Sequence, residues 1–426
     1  MATSLASKGG DDNEDSNSKN DHIKIYTTVC SPQHCFAPMK PGGPLHNCLK
    51  LRGTFIPATI FNKFTNALSH LRLIYLTLCL VVDVYTRRES FDVLILDVLP
   101  TPLLLAAFLL PNLPRAYYCH FPDQLLTRNQ VNGVTVSKPS PLRSLYRKPL
   151  DSLESFCTSF SNCTAVNSNF TKDVFLSTFP KINSLPIILY PAIEIKNFIP
   201  PKRAPPASSE YVLLSMNRFE RKKNIELAIK ILDKLRGMLK STLFKKVKLK
   251  IAGGYDINNK ENVDYLEELK ELVKSSNLSS QVTFLPSVSD SLRASLLQTS
   301  VCCLYTPSRE HFGIVPLEAM YAGCPVVARN EGGPKETVGE GCGWLCGEDE
   351  VEWAEKVCLL INEEGLKEEM GEKGHRRVIE KFGEEAFEDG VRDFIDRAVQ
   401  ANGKDKGSLA IWIIAAAVIG FVAQFK

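Results

Sequence analysis

The second half of the chain alternates short apolar runs with amphipathic helical segments, from Tyr211 to about Trp344. Few hairpin signals interrupt this alternation, and a strand–helix repeat of this kind is typical of parallel sheets. The first half shows the same alternation after Ile23. We therefore predict an α/β protein with two Rossmann-like domains, each built on a parallel sheet.

The apolar-rich helix of the first half, near residues 61–86, is predicted to be a core or membrane-surface helix, because His70, Arg72 and Asp83 interrupt or bound the apolar run too closely for a full span. Ser168 is predicted to cap a later helix.

Length and composition agree with two domains of ordinary size. The chain has 426 residues, of which 44% are hydrophobic, and this is enough apolar material for two cores. We predict a first domain over residues 23–207 and a second over residues 208–400, joined by a Pro-rich linker at residues 200–206. Residues 1–22 are polar and rich in Ser, Asn and Asp, a composition that predicts disorder.

Charge and cysteine content exclude two classes of protein. The net charge of +3 is too small to indicate a nucleic-acid partner, and no basic stripe with interleaved aromatic residues is found. The 13 cysteines are scattered without a disulfide framework, and no signal peptide precedes them. We therefore expect reduced thiols in a cytosolic environment.

The C-terminal residues 408–424 are a separate signal. The run from Leu409 to Ala423 carries no charge, and its length suits a thin bilayer such as that of the endoplasmic reticulum. Lys404 and Lys406 precede it and favour a cytosolic location for the main body. The sequence predicts a transmembrane tail, with an interfacial or docking helix as the alternative.

Glu310 and Glu318 lie eight positions apart across a predicted strand-to-helix junction. The apolar run 301–305 predicts the strand, Pro316 fits the first helical turn, and Gly323 fits its left-handed end. The start of such a helix directs unpaired N–H groups toward an anion such as a diphosphate. Glu318 is then placed to accept hydrogen bonds from ribose hydroxyls, and Glu310 from a second sugar. Both residues also fit a solvated loop and an ordinary helix start.

Basic and glycine-rich loops follow the other predicted strands of this half. Arg218 and Lys223 bracket one loop and are positioned to clamp a diphosphate. Gly253 and Gly254 end the next strand, and a second glycine-rich turn lies at residues 332–336. Each signal alone fits solvated charges and ordinary turns. Because ligands of open α/β sheets bind beyond the carboxyl ends of the strands, the loops together indicate a nucleotide-sugar site.

These motifs make the chain similar to a known family. The loop 217–224, the turn 252–254 and the segment 310–318 resemble retaining glycosyltransferases of the GT-B type, family 4. In the first half, residues 117–126, 166–171 and 189–191 are similar to the mannosyltransferases that extend the dolichol-linked precursor of N-glycans. The resemblance covers roughly residues 23–400.

The resemblance implies a GT-B fold in which two Rossmann-like domains face a cleft. The first domain would bind the acceptor, a dolichol-diphosphate-linked oligosaccharide, and the second, with its return helix, would bind GDP-mannose. Mannose would be added through alpha-1,3 and alpha-1,6 linkages at the endoplasmic reticulum membrane, with the catalytic body facing the cytosol. Other mannosyltransferases of the pathway are implied as partners, and nucleic acid is not.

The same resemblance assigns roles to individual residues. His120 ends a predicted strand and would lie near the reacting sugar, although a single histidine is also a common structural residue. The implied catalytic residues are Glu310, His120, Lys223 and Arg218. The implied donor-binding residues are Gly253, Gly254, Gly313, Ile314, Val315 and Glu318, and the implied acceptor-binding residues are Asp123 and Gln124. The chain has no Asp-x-Asp triplet, so we expect a site without a metal or other cofactor.

One departure from the family concerns the first domain. The family begins with a strand, a Gly-Gly-Ala-Glu-Arg loop and a helix, whereas residues 23–27 of this chain resemble the second strand of the family. We therefore expect an incomplete first sheet, an unstable first domain and little or no transfer activity. Two other functions stay open. One is a non-catalytic, membrane-anchored paralogue that binds a nucleotide sugar, and the other is a GT-B enzyme with a different donor.

Overall fold

The chain forms two compact units. The computed structural model describes residues 23–30, 37–60, 64–126, 130–131, 134–135, 141–182, 184–193, 210–403 and 411–414. Unit 1 comprises residues 1–129, 137–190 and 387–425, and unit 2 comprises residues 130–136 and 191–386. Residues 387–400, predicted in the second domain, therefore belong to unit 1. The predicted disordered start and the Pro-rich linker lie outside the described residues.

Unit 1 contains a parallel sheet of seven strands. The strands are β1 (Lys24–Thr27), β2 (Leu49–Leu51), β3 (Val93–Asp97), β4 (Arg115–Cys119), β7 (Cys163–Val166), β8 (Ile187–Ile188) and β15 (Ile411–Ile414). Their order is β2–β1–β15–β3–β4–β7–β8. The short antiparallel hairpin of β5 (Gln130–Val131) and β6 (Val134–Thr135) interrupts this part of the sequence but belongs to unit 2.

Helices cover both faces of this sheet because successive residues of a strand point to opposite faces. Leu94 and Leu96 belong to one apolar cluster, whereas Val93 and Ile95 belong to another. The helices are α1 (Thr65–Arg87), α2 (Thr101–Leu109), α3 (Asp123–Leu126), α4 (Pro141–Thr158), α5 (Asn169–Thr178) and α14 (Glu384–Ala401). Ser168 caps α5 as predicted, since its hydroxyl accepts a hydrogen bond from the N–H of Thr171 at 3.0 Å.

Helix α1 is long and apolar enough to cross a membrane by length and composition. In unit 1 it is a core helix with one exposed apolar face. Leu76 and Leu80 are buried in the first cluster, while Leu78 and Val82 are exposed. This arrangement fits the prediction of a core or membrane-surface helix.

Strand β15 differs from the predicted C-terminal hydrophobic helix. It lies between β1 and β3, so that Ile413 is paired with Ile25 on one side and with Ile95 on the other. Isoleucine favours extended backbone, and the two neighbouring strands provide N–H and C=O groups that need partners. The sheet that was expected to be incomplete is thus continuous from β2 to β8. The other residues of the predicted tail lie outside the described part of the chain.

Unit 2 confirms the parallel sheet predicted for the second half. Its strands are β9 (Tyr211–Met216), β10 (Val247–Gly253), β11 (Val282–Pro286), β12 (Cys302–Tyr305), β13 (Val326–Arg329) and β14 (Gly343–Cys346). The order is β11–β10–β9–β12–β13–β14, with every pair parallel. From β9, the strands β10 and β11 follow in turn to one edge of the sheet. The chain then returns to β12 on the other side of β9 and continues through β13 to β14 at the opposite edge.

Eight helices of unit 2 connect and cover these strands within the described residues. They are α6 (Glu226–Met238), α7 (Ser241–Phe244), α8 (Lys260–Ser275), α9 (Asp290–Thr299), α10 (Ile314–Tyr321), α11 (Pro334–Thr337), α12 (Glu350–Asn362) and α13 (Leu366–Phe382). The core holds Leu232 and Leu235 of α6, Ile251 of β10 and the fully buried Trp353 of α12. A sheet packed in this way fixes the loops at its carboxyl edge.

Candidate active site

Lys223 and Glu310 meet where the strand order of unit 2 reverses. Lys223 follows β9 and Glu310 follows β12, and these two strands are neighbours at the reversal. Nζ of Lys223 lies 2.6 Å from Oε2 of Glu310. Ligands of open parallel sheets bind beyond the carboxyl ends of the strands at such a point. The ion pair therefore occupies the position where a ligand site is expected in this fold.

The surroundings of the pair keep it ordered and charged. The hydroxyl of the buried Thr306 donates to the carbonyl oxygen of Lys223 at 2.8 Å, which ties the lysine loop to the end of β12. Burial by itself raises the pKa of Glu310, but the charges of Lys223 and His311 outweigh it and lower the pKa to about 2. Glu310 is ionised at neutral pH, so it can accept hydrogen bonds but cannot donate a proton.

Helix α10 begins four positions after Glu310, as predicted. Gly313 precedes it with a φ angle of 84°, and Gly323 follows it with a φ angle of 77°, both in the region that favours glycine. Ile314 is exposed and Val315 is half-buried. The N–H groups of this first turn have no acceptor within the helix and carry its positive dipole end. The helix start is therefore suited to an anionic group.

Glu318, one turn further along α10, is paired with Arg293 of α9. Only 10% of the Glu318 side chain is exposed, against 32% for Arg293. Burial raises the pKa of Glu318, and the opposing charge of Arg293 does not cancel this shift. Arg293 thus fixes the orientation of the carboxylate that the sequence predicts to contact the donor.

The loop after β9 contains a buried acid among its basic residues. Oε1 of Glu220 lies 3.1 Å from Nη1 of Arg218, and Oε2 of Glu220 lies 3.1 Å from Nζ of Lys222. Glu220 is almost fully buried, whereas about a third of the Arg218 side chain is exposed. The loop is therefore held by a carboxylate that neutralises part of its charge.

Two glycines allow the loops of the site to approach each other closely. A Cβ atom on Gly253 would lie 2.0 Å from the carbonyl oxygen of Asn217, and one on Gly333 would lie 2.3 Å from that of Phe312. Gly254 lies against the aliphatic part of the Arg218 side chain. These contacts explain the glycines structurally, and the donor-binding role of Gly253 and Gly254 stays a prediction.

In unit 1, His120 follows β4 and pairs with the last residue of β3. Nε2 of His120 lies 2.6 Å from Oδ1 of Asp97, and the ring packs edge-to-face on Tyr118 with centroids 4.7 Å apart. The side-chain amide of Asn167 donates to the backbone carbonyl of His120 at 3.1 Å. Half of the His120 side chain is exposed, so the ring is both fixed and accessible.

Asp123 and Gln124, the predicted acceptor-binding residues, begin α3 above a buried polar network. Their backbone N–H groups donate to the two carboxylate oxygens of Glu154 at 2.7 and 3.0 Å. Oδ2 of Asp123 accepts from Arg147 at 2.8 Å and from Asn66 at 2.7 Å. Asp123 is buried, so its carboxylate holds the segment in place, and Gln124 is the more exposed of the two.

The sequence interpretation missed four residues that contact predicted site residues: Asp97, Glu154, Glu220 and Arg293. Asp97 is charged and ends an apolar run, a signal that could have identified it. Glu154 and Arg293 lie within amphipathic helices, where an ordinary solvated charge looks the same in the sequence.

Comparisons with known proteins assign the chain to a family. The family described as glycosyl transferases group 1 matches residues 199–377. The alpha-1,3/1,6-mannosyltransferase ALG2 of Homo sapiens is 38% identical over 384 residues, which are 88% of this chain and 88% of the human protein. The ALG2 protein of Kluyveromyces lactis is 36% identical over 446 residues, covering 95% of this chain and 83% of the yeast protein.

Solved structures of low sequence identity share the fold. Sucrose-phosphate synthase from Thermosynechococcus elongatus superposes with a TM-score of 0.64 at 18% identity, covering 89% of this chain and 90% of that one. Anabaena HepE, solved in complex with UDP, gives a TM-score of 0.61 at 16% identity, covering 88% of this chain and 99% of that one. The fold is GT-B, and the chain belongs to the ALG2 family of alpha-1,3/1,6-mannosyltransferases.

Proposed function

We propose that this chain transfers mannose from GDP-mannose to a dolichol-diphosphate-linked oligosaccharide, through alpha-1,3 and alpha-1,6 linkages and with retention of configuration. The observation that carries the proposal is the Lys223–Glu310 pair at the strand reversal of unit 2, followed directly by the start of α10. The names of the ALG2 relatives supply the sugar and the linkages.

The diphosphate of the donor is the group that this arrangement suits best. Lys223 and Arg218 bring positive charge to the carboxyl edge of β9, and the first turn of α10, with Gly313, Ile314 and Val315, adds unpaired N–H groups. When GDP leaves, negative charge grows on the diphosphate, and fixed positive groups stabilise this charge in the transition state. Glu318 accepts hydrogen bonds from donor hydroxyls, and Gly253 and Gly254 admit the donor close to the backbone.

The ionised Glu310 fits a reaction in which no protein carboxylate attacks the sugar. The acceptor hydroxyl approaches from the face that GDP leaves, and a phosphate oxygen of the donor takes its proton. Glu310 then accepts hydrogen bonds from the transferred sugar, a role that a carboxylate with a pKa of about 2 can fill. Retaining hydrolases instead place two carboxylates across the bond. We assign His120 a contact with the reacting sugar and Gln124 a contact with the acceptor.

We place the enzyme at the endoplasmic reticulum membrane with its catalytic body in the cytosol, working without a metal ion. Reduced thiols are part of this proposal, because a reducing compartment keeps scattered cysteines unpaired. Helix α1 presents an apolar face with the exposed side chains of Leu78 and Val82, which supports contact with a membrane surface. Other mannosyltransferases of the same pathway are proposed partners.

A donor screen on the full-length protein tests the proposal. Radiolabelled GDP-mannose, UDP-glucose and UDP-N-acetylglucosamine are each incubated with a mannosylated dolichol-diphosphate chitobiose acceptor, with and without EDTA. We expect transfer from GDP-mannose alone and no effect of EDTA. Binding of GDP-mannose without turnover would identify a non-catalytic binding protein. Turnover with another donor would assign a different GT-B activity.

A further inference from the structure

We propose that Asp97 is a positioning residue for His120. The carboxylate of Asp97 holds the imidazole ring by Nε2, so that Nδ1 of the ring faces the substrate. The inference rests on the proposed function, in which His120 contacts the reacting sugar. It adds a residue that is 23 positions away in the sequence and in direct contact in the fold.

The register of two parallel strands explains how this contact arises. Asp97 of β3 is paired with Tyr118 of β4, and His120 lies two positions further along the chain. Residues two apart in an extended chain point to the same side, so the ring of His120 lies over Tyr118 and within reach of Asp97. The distance between Nε2 and Oδ1 is 2.6 Å, which is that of a strong charge-assisted hydrogen bond.

The turn after Asp97 carries backbone strain that fits a functional position. Val98 has a φ angle of 81°, a conformation that a β-branched residue rarely adopts. The phenol of Tyr117 donates to the carbonyl oxygen of Val98 at 3.1 Å and fixes this turn. Such strain persists only where the surrounding structure imposes it, and it is concentrated at functional sites. Here the strained turn directly follows Asp97, the last residue of β3.

The contact decides what each ring nitrogen can do. Asp97 accepts the hydrogen of Nε2, and no hydrogen bond to Nδ1 is found among the described residues. Asp97 is the charged group in contact with the ring, while its other neighbours, Tyr118 and Asn167, are neutral. Partial loss of solvent lowers the pKa of His120, but the carboxylate outweighs this effect and the net shift is upward. The protonated ring offers Nδ1–H as a donor to a sugar hydroxyl or phosphate oxygen.

The kinetic test uses Asp97→Asn, which keeps the size of the side chain and removes its charge. If protonated His120 is the active form, kcat/KM falls as the pH rises through the pKa of His120. Asp97→Asn should move this fall to lower pH, because the carboxylate that raises the pKa of His120 is removed. It should also lower kcat by about tenfold, with little change in the KM for the donor. Asp97→Glu should restore both values in part, and Asp173→Asn on the exposed face of α5 is the charge-matched control.

A titration of His120 by NMR gives a readout that does not need turnover. The His120 resonance is assigned with His120→Gln, and its pKa is measured in the wild type and in each variant. We expect a wild-type pKa above the ordinary value and a lower one in Asp97→Asn. A wild-type pKa at or below the ordinary value, or equal pH profiles of Asp97→Asn and the wild type, would overturn the inference. An inactive wild type with a raised His120 pKa would refute the proposed activity and leave the pair intact.

Discussion

The ammonium of Lys223 lies 2.6 Å from the carboxylate of Glu310, although the two residues are 87 positions apart in the chain. The contact joins the loops after β9 and β12 in unit 2. Removing either partner leaves the other charge poorly solvated, because both side chains are mostly buried. The two residues therefore behave as one electrostatic unit in binding, catalysis and stability.

Lys223→Ala is expected to lower kcat/KM for mannosyl transfer by about 10²-fold or more, since fixed positive charge toward a leaving group contributes several kcal/mol. Arg218→Ala should have an effect of the same kind. The measurement is steady-state transfer with varied GDP-mannose. Lys234→Ala, which removes an exposed lysine paired with Glu350 at 3.5 Å, is the matched control. Normal transfer by the Lys223→Ala, Arg218→Ala double variant would rule out the proposed donor site.

Lys223→Ala should also raise the pKa of Glu310 from about 2, because burial then acts with less opposing charge. In the wild type, the lowered pKa of Glu310 stabilises the folded state at pH values above 4.5, the ordinary pKa of the carboxyl group. This stabilisation is lost as the pH falls toward 2. Unfolding of the wild type and of Lys223→Ala by urea between pH 2 and pH 7 measures the difference. Parallel stability profiles would show that the pair does not shift the carboxylate.

Glu318→Gln and Arg293→Ala are expected to act alike, because Arg293 fixes the Glu318 carboxylate. Each should raise the KM for GDP-mannose by about tenfold with a smaller change in kcat, the pattern of a lost binding contact. Arg397→Ala, which removes an exposed pair with Asp393 at 2.8 Å, is the control. An Arg293→Ala variant with an unchanged KM would separate the two residues.

Glu154 predicts a pH dependence of the opposite sign in unit 1. Burial and the nearby charge of Asp123 raise the pKa of Glu154 from 4.5 to about 8. The hydrogen bonds that Glu154 accepts from backbone N–H groups lower its pKa, but they do not cancel this rise. The folded state then holds a proton that the unfolded state has lost, so the stability of unit 1 falls as the pH rises from 4.5 to 8 and levels off above.

Glu154→Gln should remove this slope, which amounts to several kcal/mol for a shift of this size. Hydrogen exchange of the peptide that contains residues 120–126, followed from pH 5 to pH 9 and corrected for intrinsic rates, measures it locally. Asp173→Asn on α5 is the control for loss of a carboxylate in the same unit. A slope that survives in Glu154→Gln must come from another group.

Glycosylation sites test the proposed topology. The acceptor sequons begin at Asn162, Asn169 and Asn277, and Asn169 is exposed at the start of α5. A body in the cytosol leaves all three unmodified. Endoglycosidase treatment of the protein expressed in cells should give no mobility shift, with a lumenal glycoprotein as the positive control. A shift that disappears in Asn169→Gln would place the body in the lumen.

Strand β15 makes a prediction at the level of the backbone. Ile413→Pro removes an N–H group from a strand that has a neighbour on each side. Amide exchange in β1 and β3 should rise, while β9 and β10 of unit 2 serve as an internal reference. Val418→Pro places the same change in the same apolar run but outside β15. Equal exchange in the two proline variants would show that residues 411–414 do not hold the sheet together.

Much of the fold follows from local patterns in the sequence. The strands β9, β10 and β12, the start of α10 and the cap at Ser168 lie within a few residues of their predicted positions, because periodicity and turn residues are local signals. The place of β15 could not be predicted in this way. The length of the uncharged run favours a helix, and the sequence alternatives were both helical. The four residues Ile411–Ile414 also favour extended backbone, and only the two strand edges in the folded unit select the strand.

For the candidate site, the positions of several residues could be predicted from the sequence, but their charge partners could not. Lys223 and Glu310 were identified because they lie in loops that follow strands, and parallel strands bring their carboxyl ends to one edge of the sheet. Their electrostatic state was not, since it depends on partners far away in the sequence. The buried Glu220 and the helical Arg293 change the charge of the site, yet a pattern of sequence spacing contains no information about which charges face each other.

The pairing of β15 with β1 has a consequence for how the protein is made. A contact between residues 25 and 413 encloses nearly the whole chain, and a ribosome adds only about 5–20 residues per second. Strand β1 can pair with β2 early, but it must wait for β15 until unit 2, which is almost continuous, has emerged and can already fold. The sheet of unit 1 is therefore completed last, and during this interval the edges of β1 and β3 that face β15 expose unpaired backbone groups, the kind of edge that makes incompletely folded chains prone to aggregation.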